Sequence, residues 1–154
     1  MVSAMEAKPA VVTVTQRFDV SAERVFDAWL DTAVLGRWMF GIAFSDEVVH
    51  ITIDPRVGGA FSFLIRRNGQ EIDHIGKYIA IERPRRLAFT WAIVPQSPEP
   101  DVASRVNIAI VAQGAGCELT LTHEIPAEFA DYAERTQMGW TRILEAQYRT
   151  LTTV

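Results

Sequence analysis

Few residues in this chain are suited to chemistry. It holds three histidines, His50, His74 and His123, and one cysteine, Cys117. The histidines lie far apart in sequence, and none stands at the H-x-x-x-H spacing that grips a zinc ion. A single cysteine cannot form an internal disulfide, so a reducing, cytoplasmic setting is the simplest expectation. Cys117 starts a strand after a turn and has no basic neighbour in sequence to lower its thiol pKa, so it reads as structural. There is no G-x-S-x-G nucleophile elbow and no pair of carboxylates on one inner face. Gly58-Gly59 lacks the spacing and the following helix of a phosphate-cradling loop. No metal and no cofactor is therefore expected. What remains is acid–base work by a histidine inside a pocket, with His123 the first candidate and His74 the second. Each has a plainer reading as a hydrogen-bonded core histidine.

These side chains must be placed by the elements around them. Val11 to Asp19 alternates β-branched and polar residues and predicts a strand. Ser21 can cap a helix carrying Val25, Phe26 and Trp29, and Asp31 can start a second short helix that ends near Trp38. Val48 to Ile53 predicts a strand on which His50 alternates away from Val49 and Ile51, toward solvent. Gly58-Gly59 opens another, where Phe61, Phe63 and Ile65 share a face. Asn68-Gly69 is a hairpin signal, because both residues accept positive φ. Ile72 to Glu82 forms the next strand, with His74 on the face of Gly76 and Tyr78. Leu87, Phe89, Trp91 and Ile93 share a face of the strand that follows. The segment Pro95-Gln96-Ser97-Pro98-Glu99-Pro100 reads as a connection between strands. Beyond it Val106, Ile108 and Ile110 alternate, and after a turn at Gly114 to Gly116 so do Leu119, Leu121 and His123. Pro126 suits the first position of a helix. Phe129, Ala133, Thr136, Trp140, Ile143, Leu144, Gln147 and Leu151 then fall on one helical stripe.

The fold class expected is α+β: a curved antiparallel sheet of about seven strands wrapped around a long C-terminal helix, with two short helices after the first strand. Residues 1–10 are expected to form a flexible tail without the pattern of a secretory signal, and 11–152 a single domain. The chain has 154 residues, is 49% hydrophobic and 22% charged, and carries a formal net charge of −4. That balance speaks against a nucleic-acid partner, and no apolar run of about 18 residues exists to span a membrane.

Large rings on a curved sheet leave space unless each finds a partner. An apolar pocket is therefore expected between sheet and helix. Its candidate lining is Trp38, Phe40, Phe61, Phe63, Phe89, Trp91, His123, Thr136, Trp140 and Ile143. Two points stay open here. Trp38-Met39-Phe40 can form a pocket lip or seal the core, and Gly139 can permit close packing beside Trp140 or open space for a ligand.

Five motifs in order carry a family resemblance. They are Val25-Phe26-Asp27-Ala28-Trp29 with Leu35-Gly36-Arg37-Trp38, then Asp54-Pro55-Arg56-Val57-Gly58-Gly59-Ala60-Phe61, then Gly76 to Leu87 running into Phe89-Thr90-Trp91, then Leu121-Thr122-His123, and last Gly139-Trp140 with Leu144. Together they resemble the activator of Hsp90 ATPase homologue 1-like (AHSA1-like) family of the START/Bet v 1-like superfamily. The resemblance implies a helix-grip fold around a hydrophobic cavity. Members of the superfamily bind lipids, hormones and polyketides, some are cyclases or hydrolases, and the eukaryotic namesake binds a chaperone. The expected function is binding of a hydrophobic or lipid-like small molecule. The alternatives are a cyclase, dehydratase or hydrolase that uses a cavity histidine, and an interaction module with a chaperone or regulator as partner. A homodimer is also conceivable.

Overall fold

The computed structural model describes residues 9–94 and 104–152. The expected tail, through residue 8, and the proline-rich connection Pro95 to Pro100 lie outside the described residues. Strand β1 (Ala10–Phe18) leads to helix α1 (Ala22–Ala28) and helix α2 (Thr32–Gly36). The Ser21 side chain accepts from Arg24 N–H, and the Asp31 side chain accepts from Ala33 N–H at 3.0 Å. Both caps satisfy backbone donors that a helix start leaves bare.

The second helical segment does not stop at Trp38. It widens into a π-helical turn, Arg37–Ile42. A π turn puts less rotation between successive side chains than an α turn does. Three consecutive large residues, Trp38, Met39 and Phe40, can then all face inward, and each is at most 2% exposed.

Six further strands follow: β2 (Glu47–Ile53), β3 (Ala60–Arg67), β4 (Gln70–Glu82), β5 (Arg86–Val94), β6 (Ser104–Gln113) and β7 (Gly116–Ile125). They form one seven-stranded sheet in the order β1-β7-β6-β5-β4-β3-β2, antiparallel throughout. Asn68 and Gly69 join β3 to β4 with φ of 53° and 79°, as a two-residue hairpin turn requires. Asp54 to Gly59 folds on itself between β2 and β3. Arg56 N–H donates to Asp54 O, Gly59 N–H donates to Arg56 O, and Gly58 N–H reaches Tyr78 O on β4.

Register sets one apolar face. Val12 and Val106 both pair with His123, Ile108 pairs with Leu121, and Ile110 pairs with Leu119. Leu119, Leu121 and Ile108 are fully buried. Each such side chain contributes about 2 kcal/mol by leaving water.

A 3₁₀ segment, Ala127–Tyr132, begins right after Pro126, and the long helix α3 (Ala133–Thr152) starts only at Ala133. Its stripe of Trp140, Ile143, Leu144, Gln147 and Leu151 is buried against β1 and the π-helical turn. Polar ties fix its second half. Tyr148 O–H donates to Asp19 at 2.6 Å, Gln147 donates to Val25 O at 3.3 Å, and Arg24 donates to Leu151 O at the helix end. Arg83, in the β4–β5 turn, makes two bonds to Asp27 of α1 at 2.8 and 2.9 Å. That pair joins two of the sequence motifs across 56 residues, and the hydrogen bond from Arg83 holds the Asp27 carboxyl below its usual pKa. No helix among the described residues is long and apolar enough to cross a membrane.

Candidate functional site

The inward aromatics divide into two groups. Near the middle of the sheet, Phe61 stacks on Phe63 at 4.7 Å and meets Phe89 edge-on at 5.5 Å. Trp38 sets against Trp29 at 4.8 Å, nearly perpendicular. These rings find one another, as quadrupole attraction favours, and fill their space. Phe61, Phe63 and Phe89, with Trp29 and Tyr78, leave only about 10 Å³ between them, room for one water at most. Trp38 and Met39 therefore seal the core.

The second group borders a hollow of about 750 Å³. It lies where β4 and β6 begin and β5 and β7 end, under the first half of α3. Its walls include Phe40, His74, Trp91, His123, Thr136, Trp140 and Ile143. Of the residues named from sequence, Phe40, Trp91, His123, Thr136, Trp140 and Ile143 meet here, together with His74. Trp38, Phe61, Phe63 and Phe89 do not face it. Gln147, an inward polar residue, is also elsewhere, tied to α1. His50 lies on exposed β2 beside Ser62 at 3.2 Å, away from the hollow.

Several wall residues carried no sequence assignment to the site: Phe44, Arg67, Ser104, Ile125 and Arg135. A signal existed for Ser104, since the alternation of Val106, Ile108 and Ile110 extended backward puts residue 104 on the same face. Gly139 also borders the hollow, and a methyl built on it would meet nothing within 4 Å. That glycine opens space; it does not bring two elements into close contact.

His123 sits in a directed chain of hydrogen bonds. The Trp140 indole N–H donates to His123 Nδ1 at 2.9 Å. An indole can only donate, so Nδ1 is the unprotonated nitrogen and the proton rests on Nε2. His123 Nε2–H then donates to Ser104 Oγ at 2.6 Å, and Ser104 O–H donates to Trp91 O at 2.8 Å. Burial pushes the imidazole pKa down to about 4, which keeps this tautomer neutral near pH 7. Both ring nitrogens are occupied, so no lone pair of His123 is free to take a substrate proton.

The chain predicts a measurable effect. Trp140→Phe keeps an aromatic ring and removes the donor, leaving Nδ1 buried without a partner. Urea unfolding should show a loss of about 2 kcal/mol, the usual penalty for an unsatisfied buried group. A loss below about 0.5 kcal/mol would mean that the bond contributes nothing.

His74 is held differently. Its pairing with Phe63 on β3 turns the ring to the inner face, which settles the side it takes. The ring lies 4.8 Å from Phe40 and 5.3 Å from Trp91, centroid to centroid. Its Nδ1 is 3.1 Å from Phe63 O, and a carbonyl only accepts, so Nδ1 carries the proton and Nε2 carries the lone pair. Burial, reinforced by nearby Arg67, holds its pKa near 4. Burial also raises the Cys117 thiol pKa, in keeping with a structural role. Among the described residues no group of three or more His, Cys, Asp or Glu could hold a metal ion.

A family model described as activator of Hsp90 ATPase homolog 1-like protein matches residues 19–151. No curated protein sequence matches the chain. Among solved structures, a protein from Rhizobium loti is 26% identical with a TM-score of 0.76, over 92% of this chain and 96% of that one. A protein of unknown function from Staphylococcus aureus is 15% identical with a TM-score of 0.80, over 97% of each chain. One from Rhizobium leguminosarum is 20% identical with a TM-score of 0.77, over 96% of this chain and 97% of that one. The last two likenesses speak for the fold alone. With a seven-stranded antiparallel sheet followed by a long C-terminal helix, and the family signature running from Asp19 through Leu151, this chain belongs to the activator of Hsp90 ATPase homologue 1-like family.

Proposed function

We propose that the protein binds one apolar small molecule in the hollow between the sheet and α3. The carrying observation is Gly139. A glycine inside a helix costs about 1 kcal/mol against alanine. Here it sits on the wall of a space of about 750 Å³ with nothing within 4 Å of a methyl position. That volume falls in the range of small-molecule sites, and its walls are mainly aromatic and aliphatic. Binding without acid–base turnover is the better supported form of this reading. His123 has no free lone pair, and a base with a pKa near 4 such as His74 takes protons poorly at neutral pH.

Gly139 supplies the test. Gly139→Ala should raise stability by about 1 kcal/mol in chemical unfolding, because it improves the helix without a clash. Gly139→Leu should fill part of the hollow while the fold persists, checked by circular dichroism. Naphthalene should quench tryptophan fluorescence of the native protein with 1:1 stoichiometry and bind Gly139→Leu at least about tenfold more weakly, one lost apolar contact surface being worth that much. Equal binding to both proteins would remove the hollow as the site. No binding of any apolar compound by the native protein would remove the function.

A further inference from the structure

The hollow has a polarity that the apolar reading does not use. Among the described residues the charged members of its wall are Arg67 and Arg135, and no acidic residue is among them. This occurs in a chain whose formal net charge is −4. Arg67 is already neutralised: it makes two bonds, 2.8 and 2.7 Å, to Asp46, whose side chain is only 1% exposed. Arg135 makes no ion pair among the described residues. Its contact is the ring of Tyr132, 5.5 Å from the guanidinium carbon. Arg135 and Tyr132 are both exposed, so a cation with no ion pair among the described residues sits at the rim.

A second, independent feature lies deeper. His74 is 7% exposed and clamped between Phe40 and Trp91. Its Nδ1–H is spent on Phe63 O, and Nε2 has no donor among the described residues. His74 borders the hollow, so an unfilled acceptor stands in its wall. That nitrogen opens onto the hollow and is not sealed from solvent, so a ligand that carries a donor to it takes the place of water there. His123 offers no equivalent, since both of its nitrogens are bonded.

We infer that the ligand is an amphiphile with an anionic head held at the rim by Arg135 and an apolar body bearing a hydroxyl that donates to His74 Nε2. This rests on the ligand-binding reading above and sharpens it. Alternating apolar walls with one inner acceptor and one outer cation would orient such a molecule head outward. A neutral hydrocarbon of the same shape would bind without that orientation.

Four probes separate the parts: 6-hydroxy-2-naphthoate, 2-naphthoate, 2-naphthol and naphthalene. Titrated against the native protein by tryptophan quenching at low salt, the first should bind tightest. Loss of the carboxylate should weaken binding about twofold to fivefold, an effect that shrinks with added salt because the cation is exposed. Loss of the hydroxyl should weaken it about fivefold, the worth of one neutral hydrogen bond. Arg135→Gln should erase the carboxylate preference only, and His74→Phe the hydroxyl preference only. The ligand comparison on the native chain needs no substitution, so it stands even where His74→Phe folds poorly. Equal affinity for all four probes would overturn this inference and leave the apolar-binding reading intact. No binding of any probe, naphthalene included, would overturn both.

Discussion

Acidification from pH 7 to pH 4 should strip about 6 kcal/mol from the unfolding free energy, because two buried histidines must stay neutral for the protein to stay folded. The folded pKa of His74 and of His123 is lowered to about 4, in both cases chiefly by burial. In the unfolded chain each returns to the ordinary value of 6.5. Above pH 6.5 neither state binds the proton, and the full stability is present. As pH falls below 6.5 the unfolded state takes up protons that the folded state refuses, so stability drops. Near pH 4 the folded imidazoles protonate too, and the loss levels off. Each histidine accounts for about 3 kcal/mol across that window. A domain of this kind has about 5–15 kcal/mol in total, so the effect decides whether it stays folded. Urea unfolding at pH 7, 5.5 and 4 measures it directly. His74→Phe should retain roughly half of the dependence, contributed by His123. Imidazole proton shifts give a second check. If His74 and His123 of the folded protein titrate near 6.5, the explanation fails.

Gly76→Ala should lower stability by about 3–5 kcal/mol, among the larger losses a single methyl can cause. A Cβ at residue 76 would lie 1.9 Å from Thr90 O on β5 and 2.5 Å from the Phe61 ring. The ring could shift, but Thr90 O belongs to the backbone of the neighbouring strand. The sheet must open there, and Lys77 N–H would strain its 2.9 Å bond to Thr90 Oγ1. In thermal unfolding the midpoint should fall by about 10 °C. A shift under about 3 °C would show that the two strands accommodate the methyl, and the close approach would lose its importance. The contrast with Gly139→Ala is informative. The same substitution raises stability at one position and lowers it at the other, and the difference is what lies within 4 Å.

The architecture was open to reading from the residues. Strand period put Phe61, Phe63 and Ile65 on one face and Leu119, Leu121 and His123 on another, and all are buried. Ser21 and Asp31 marked their helix starts, and Asn68-Gly69 marked its hairpin. Helical spacing from Trp140 to Leu151 foretold the face that α3 buries. These features are local: alternation, capping and turn chemistry each act within a few residues, so the order of types carries them. The start of the last helix was misplaced for the same reason, since Pro126 suits a 3₁₀ turn as well as an α-helix.

The site was only half legible. Periodicity names the face a side chain takes but not how far along the sheet it meets a partner. Phe89 and Trp91 share a face of β5, yet Phe89 closes on Phe61 while Trp91 borders the hollow. Which nitrogen of His123 is protonated depends on Trp140 and Ser104, 17 and 19 residues away in opposite directions. The side taken by His74 depends on its register with Phe63. The chain's own order thus settles the strands, the starts of α1 and α2 and the family, while the π-helical and 3₁₀ turns depend on packing. The hollow, the filled and unfilled lone pairs, and the opposite meanings of Gly76 and Gly139 arise only on folding. Leftover space is a small difference between large packed volumes, and that difference exists only once distant segments have met.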